Sequence, residues 1–179
     1  MIDADTLRKC LPFARESNIQ KYLEPLNKVF EHYEINTPDR IAAFLAQIAH
    51  ESGSFRYVEE IASGSAYEGR KDLGNVVEGD GKRFKGRGLI QITGRTNYDA
   101  VGRALGYDFI NNPEDLQLPG AATFSAGWFW NSRRLNDLAD IGTMESFRKI
   151  TRKINGGYNG ITDRIKHWNN CKKALNIKK

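Results

Sequence analysis

Apolar residues recur at threes and fours along most of this chain, the spacing of helices that bury one face. Residues 5–15 and 19–33 read as amphipathic helices; Tyr22, Leu26, Val29, Phe30 and Tyr33 share a face of the second. Thr37-Pro38 is a helix start, with Thr37 placed to cap and Pro38 at the first helical position. The stripe that follows is Ile41, Phe44, Leu45 and Ile48, and Ser52-Gly53-Ser54 stops it. Residues 62–88, rich in Gly, Ser and charge, read as loop. Leu89-Ile90-Gln91-Ile92-Thr93 reads as a short strand closed by Gly94. Helices are predicted again over 95–105, over 119–131 from Pro119, over 144–154 up to Asn155-Gly156-Gly157, and over about 161–175. Asn112-Pro113-Glu114-Asp115 makes a turn. The expectation is a mainly α chain with at most a small sheet.

The 179 residues suit one domain, 1–179, with room for a smaller lobe within it. Lys and Arg outnumber Asp and Glu by 27 to 22, giving +5 and a pI near 9.2. That balance draws a protein toward polyanions: nucleic acid, anionic lipid or wall polymers. The basic residues are scattered, apart from Lys82 to Arg87 and the Lys178-Lys179 tail. No helix-turn-helix, zinc or aromatic-platform motif supports nucleic acid as the partner. No apolar run reaches the roughly 18 residues of a membrane span, and the N-terminus lacks the apolar core of a signal peptide. The chain is therefore expected to be made in the cytoplasm, with no stable membrane insertion. Cys10 and Cys171 are too few for a disulfide scaffold and suit a reducing compartment, although a bridge between them is open.

Glu51, in Ala49-His50-Glu51-Ser52-Gly53, continues the buried stripe and falls in the last turn of its helix. The core edge and the negative end of the helix dipole both disfavour another negative charge there, as a general acid requires. The alternative is a glutamate that frays outward. Glu59 and Glu60 supply the next carboxylates, and adjacent residues point apart, so at most one faces Glu51. Two carboxylates about 6.5–9.5 Å apart leave room for water and an inverting glycoside hydrolysis. In an extended Gly86–Gly94, Gln91 and Thr93 would share one face, an amide and a hydroxyl fit to hold an N-acetyl group or a water; a structural hairpin is the plain alternative. No metal is expected. His50-Glu51 begins like a zincin helix, but Ser54 stands where the second histidine is required. No serine elbow or cysteine–histidine pair is apparent.

Taken in order, Ala-His-Glu-Ser-Gly at 49–53, Gly-Arg-Gly-Leu-Ile-Gln-Ile-Thr-Gly at 86–94, Asn97-Tyr98, Asn112-Pro113, Trp128-Phe129-Trp130, Asn155-Gly156-Gly157 and Asp163-Arg164 resemble glycoside hydrolase family 19 over about residues 38–175. The nearest likeness is to its phage and bacterial endolysin branch. The resemblance implies a lysozyme-like, two-lobed α (α+β) fold with a small β element and a central cleft. It implies a single catalytic domain without a separate wall-binding module, acting as a monomer without cofactor. Glu51 matches the family's general acid, Glu60 its base, and Thr93 a residue that helps hold the attacking water. Gln91, Asn97 and Asn155 match substrate-binding positions, and Arg164 a cleft arginine. The expected substrate is bacterial peptidoglycan, cut at a β-1,4 bond to lyse the host cell, with a separate membrane-permeabilising protein opening the way to the wall. A chitinase, a lytic transglycosylase and a non-catalytic wall-binding module are the competing readings. The short stretch between the glutamates and the absent disulfides depart from the plant chitinases.

Overall fold

The computed structural model describes residues 1–178; Lys179, half of the basic tail, lies outside them. Helices dominate, as the spacing predicts. In chain order they are α1 (Ala4–Cys10), α2 (Glu16–His32), α3 (Pro38–Ser52), the single turn α4 (Asp80–Arg83), α5 (Arg95–Leu105), α6 (Pro119–Ser132), α7 (Leu135–Ile141), α8 (Met144–Asn155) and α9 (Ile161–Ala174). Thr37 caps α3 as predicted, its Oγ1 accepting from the Arg40 N–H at 3.3 Å.

α3 is the central element. Ile41, Ala42, Ala43, Phe44, Leu45, Ala46, Gln47, Ile48 and Ala49 are all buried on it, so it is enclosed on every side rather than along one stripe. α9 packs against α3 and α1, and α6 packs on α2. Trp130 is fully buried edge-on to Phe44 at 5.3 Å, so this tryptophan belongs to the core, with Trp128 and Phe129 packed against it. Both cysteines are buried free thiols near each other; the Cys171 thiol donates to the Cys10 carbonyl at 3.6 Å, and burial pushes it well up.

Three expectations need correction. The first predicted helix is shorter, ending at Cys10 rather than 15. Residues 135–141 form a helix that the spacing did not predict. The strand expected over Leu89–Thr93 is a tight turn. Arg87 and Ile92 exchange backbone hydrogen bonds of 3.0 and 2.8 Å, and the four residues between them reverse the chain, with Gly88 at φ +88° and Gln91 at φ +57°. The β element among the described residues is two isolated antiparallel bridges, Glu59 with Arg87 and Arg87 with Ile92. The predicted loop 62–88 is mostly irregular but holds α4 and two short 3₁₀ turns, Ser65–Tyr67 and Lys71–Leu73.

Candidate active site

Glu51 sits in the last turn of α3 and is about four-fifths buried, its side chain 19% exposed. Its Oε1 accepts from Nη2 of Arg164, on α9, at 2.6 Å. Nη1 of that arginine donates to Gln47 Oε1 at 2.7 Å and its Nε to the Asn159 carbonyl at 3.0 Å. Gln47, one helical turn before Glu51, in turn donates to Thr151 Oγ1 of α8 at 2.9 Å. Three helices therefore meet at this carboxylate through satisfied polar groups, as a buried network requires. Arg164 is 1% exposed and all three of its nitrogens have partners. Arg164, expected as a cleft arginine, is directed at Glu51 by its burial and bonding. Beside it His50 Nδ1 lies 2.7 Å from Asp163 Oδ2, which also lies 3.3 Å from His167 Nε2.

After Ser52 the chain reverses abruptly. Gly53, Ser54 and Phe55 all take positive φ, at 56°, 56° and 69°, and two of these residues pay steric strain that glycine would not. The strain is held in place: Ser54 N–H donates to the Ala49 carbonyl at 2.8 Å, Phe55 N–H to Ser52 Oγ at 3.0 Å, and the Phe55 ring stacks on Tyr22. The reversal delivers residues 58–60 alongside 86–88. Gly88 N–H donates to the Val58 carbonyl and Glu60 N–H to the Gly86 carbonyl, both at 2.8 Å.

That pairing separates the adjacent glutamates. Glu59 turns to Lys85 Nζ at 2.8 Å and Arg87 Nε at 3.5 Å; the hydrogen bond from Lys85 chiefly holds its carboxyl below the usual range. Glu60 turns the other way. Its Oε2 accepts from the Gly86 N–H at 2.9 Å and its Oε1 from the Tyr67 hydroxyl at 2.9 Å. Gln91 and Thr93 converge on the same spot. A Cβ placed on Gly86 would stand 2.8 Å from Gln91 Oε1, 3.2 Å from Glu60 Oε2 and 3.3 Å from Thr93 Oγ1. Gln91 and Thr93 thus meet, not through strand alternation, but because the left-handed backbone at Gln91 folds its side chain back. Asn97, exposed in the first turn of α5, donates to the Thr93 carbonyl at 2.9 Å. Asn155, exposed at the end of α8, accepts from the Asn159 N–H at 3.3 Å.

Two groups of side chains therefore stand at the ends of the Ser52–Glu60 connection. One is a carboxylate on a buried guanidinium, the other a carboxylate ringed by an amide and two hydroxyls. Against known proteins, the sequence profile of glycosyl hydrolase family 19, described as chitinase class I, matches residues 33–176. The chain belongs to glycoside hydrolase family 19. A family 19 domain protein of Haemophilus influenzae is 35% identical over 159 residues, 70% of this chain and 74% of that one. An endochitinase of Arabidopsis thaliana is 42% identical over 130 residues, 72% of this chain but 43% of the plant protein, so this chain spans less than half of that relative. A crystallised bacterial family 19 chitinase superposes with a TM-score of 0.79 at 24% identity, over 99% of this chain and 96% of that one. Chitinase C of Streptomyces griseus follows at 0.77 and 21%, over 98% and 76%. At those identities the likeness shows the fold, which is the lysozyme-like one.

As a family 19 member the chain is a chitinase-like glycoside hydrolase acting on a polysaccharide. The carboxylate pair that such hydrolysis needs has its candidates in Glu51 and Glu60. Sequence reasoning missed Tyr67, Gln47 and the His50–Asp163 contact. Tyr67 lies in the least regular stretch of the chain. Gln47 sits on what looked like the far side of an amphipathic helix. Neither carries a spacing signal.

Proposed function

We propose that the chain is an inverting peptidoglycan hydrolase of endolysin type, cutting β-1,4 bonds beside N-acetylated sugars. Glu51 donates a proton to the glycosidic oxygen as positive charge develops on the sugar ring, and Arg164 holds it in place. Glu60, ionised and oriented by the Gly86 N–H and Tyr67, takes a proton from water steadied by Thr93. Gln91, Asn97 and Asn155 bind the sugar chain. The observation that carries this reading is the convergence of Glu60, Gln91 and Thr93 beside the Gly86 backbone, which sets a carboxylate, an amide and a hydroxyl close together where a water can be oriented. Acid–base assistance of this kind contributes about 10²–10⁴-fold per group.

The surplus of +5 supports an anionic wall polymer as substrate. A second reading is supported by the relatives, several of which are named endochitinases: cleavage of neutral N-acetylglucosamine polymers. Digestion of purified peptidoglycan and of chitin, with the new reducing-end sugar and its anomer identified by NMR and mass spectrometry, separates these readings. A peptidoglycan product carrying one added water with inverted configuration is expected. A 1,6-anhydro end would make the enzyme a transglycosylase, and retained configuration would remove Glu60 as base.

A further inference from the structure

The outward face of α8 carries four cations and one carboxylate. Ser146, Phe147, Ile150 and Thr151 bury the inner face, leaving Arg148, Lys149, Arg152 and Lys153 exposed in two rows spaced i, i+4. Glu145 occupies Lys149 at 2.9 Å. The neighbouring helix offers no relief, because Asp137 pairs with Arg134 at 3.0 Å and Asp140 with Arg40 at 2.7 Å. Among the described residues Arg148, Arg152 and Lys153 therefore have no carboxylate partner; Arg148 lies 5.1 Å from the exposed Tyr158 ring instead. Leu138, Lys149, Arg152, Lys153 and Gly156 line an open groove of about 450 Å³.

The position of this groove matters as much as its charge. It ends at Gly156, the residue after Asn155, which was assigned above to sugar binding. The inner side of the same helix reaches Glu51 through Thr151, Gln47 and Arg164. A glycan lying on Asn155 would carry its substituents past the cations. Chitin has only neutral N-acetyl groups to offer there. Peptidoglycan has peptide stems whose free carboxylates recur along the strand, and these complement unpaired Arg and Lys.

From the charge and its place we infer that the α8 groove is an accessory binding site for the peptide-stem carboxylates of peptidoglycan, favouring that polymer over neutral N-acetylglucosamine chains. The inference rests on the peptidoglycan reading, and binding and turnover are measured separately to tell their failures apart. The test compares wild type with the double variant Arg152→Glu/Lys153→Glu, checked for folding by circular dichroism and thermal melting. Sedimentation with purified sacculi at low salt is expected to show ~10-fold weaker binding by the variant, in the range of electrostatic steering. Wild-type binding to sacculi with amidated carboxylates should fall to the level of the variant. For peptidoglycan KM should rise by the same factor with kcat retained, while chitohexaose hydrolysis stays unchanged. Equal binding of both proteins to native sacculi, indifference to amidation, or matching losses on chitohexaose would each overturn the inference. So would a variant that loses only retention on duplex DNA, which would make the face a nucleic-acid surface. A wild type that binds sacculi through these charges but never cleaves them leaves the groove standing and removes peptidoglycan as substrate.

Discussion

Gly86 is a residue whose missing side chain makes room for three others. A methyl group there would meet Gln91 Oε1 at 2.8 Å, closer than real contacts allow, and would crowd Glu60 Oε2 and Thr93 Oγ1. The atoms it displaces are the far ends of side chains, which can move cheaply, so Gly86→Ala should change the melting temperature little. It should nevertheless cut kcat by about 10²-fold, because misplacing reacting groups by an ångström costs that much. A variant with wild-type turnover would show that the cup around Gly86 is not where water is activated. Glu51→Gln probes the other carboxylate. Its amide oxygen can still accept from Arg164, so the fold should survive, while the donated proton is lost. Hydrolysis is expected to fall about 10²–10⁴-fold, and unimpaired release of reducing sugar would dismiss Glu51 as the acid.

At the scale of elements, the junction of α3 and α9 decides where Glu51 stands. Gly160, at φ +71° just before α9, lies so close beneath the His50 ring that a Cβ would fall 2.1 Å from Cε1 and 2.3 Å from Nε2. Gly160→Ala therefore adds a left-handed alanine, at about 1–2 kcal/mol, to a clash that pushes His50 from Asp163. The displaced residue is the one before Glu51, so urea midpoint and activity should fall together; an unchanged midpoint would mean that the junction yields freely. The helices themselves were legible, because stripes such as Ile41-Phe44-Leu45-Ile48 and Tyr22-Leu26-Val29 report burial directly. Leu89–Thr93 was not, since five residues of apolar and polar alternation fit a strand and a turn alike, and Gln91 gives no sign that it takes positive φ. Helix α7 escaped because seven residues carry too few apolar positions to show a period. At the site, Glu51 could be read from its place on a stripe. Its pairing with Arg164, 113 residues away, could not, since a cation in sequence looks the same whether a carboxylate or solvent receives it.

Across the whole molecule the resting charges set how the fold responds to acid, and two windows can be distinguished. Burial holds His167 below its ordinary 6.5, and Asp163 only partly offsets this. The unfolded chain then binds a proton that the folded chain refuses, so stability is full above pH 6.5 and declines as pH falls through the lowered folded value. The second window lies lower. Hydrogen bonding from Arg95 holds Asp80 below 3.8, and hydrogen bonding from Lys85 holds Glu59 below 4.5. Both carboxyls favour the folded state while ionised and lose that contribution as pH falls below those ordinary values. Melting temperature plotted against pH should therefore be level above pH 7, bend gently downward near pH 6 and fall steeply below pH 4.5. His167→Gln should remove the upper bend and leave the lower fall in place, even if the variant melts earlier overall. An identical slope between pH 7 and 5 in both proteins would show that His167 takes its proton without opposing the fold, and that the carboxylate pairs alone account for acid sensitivity.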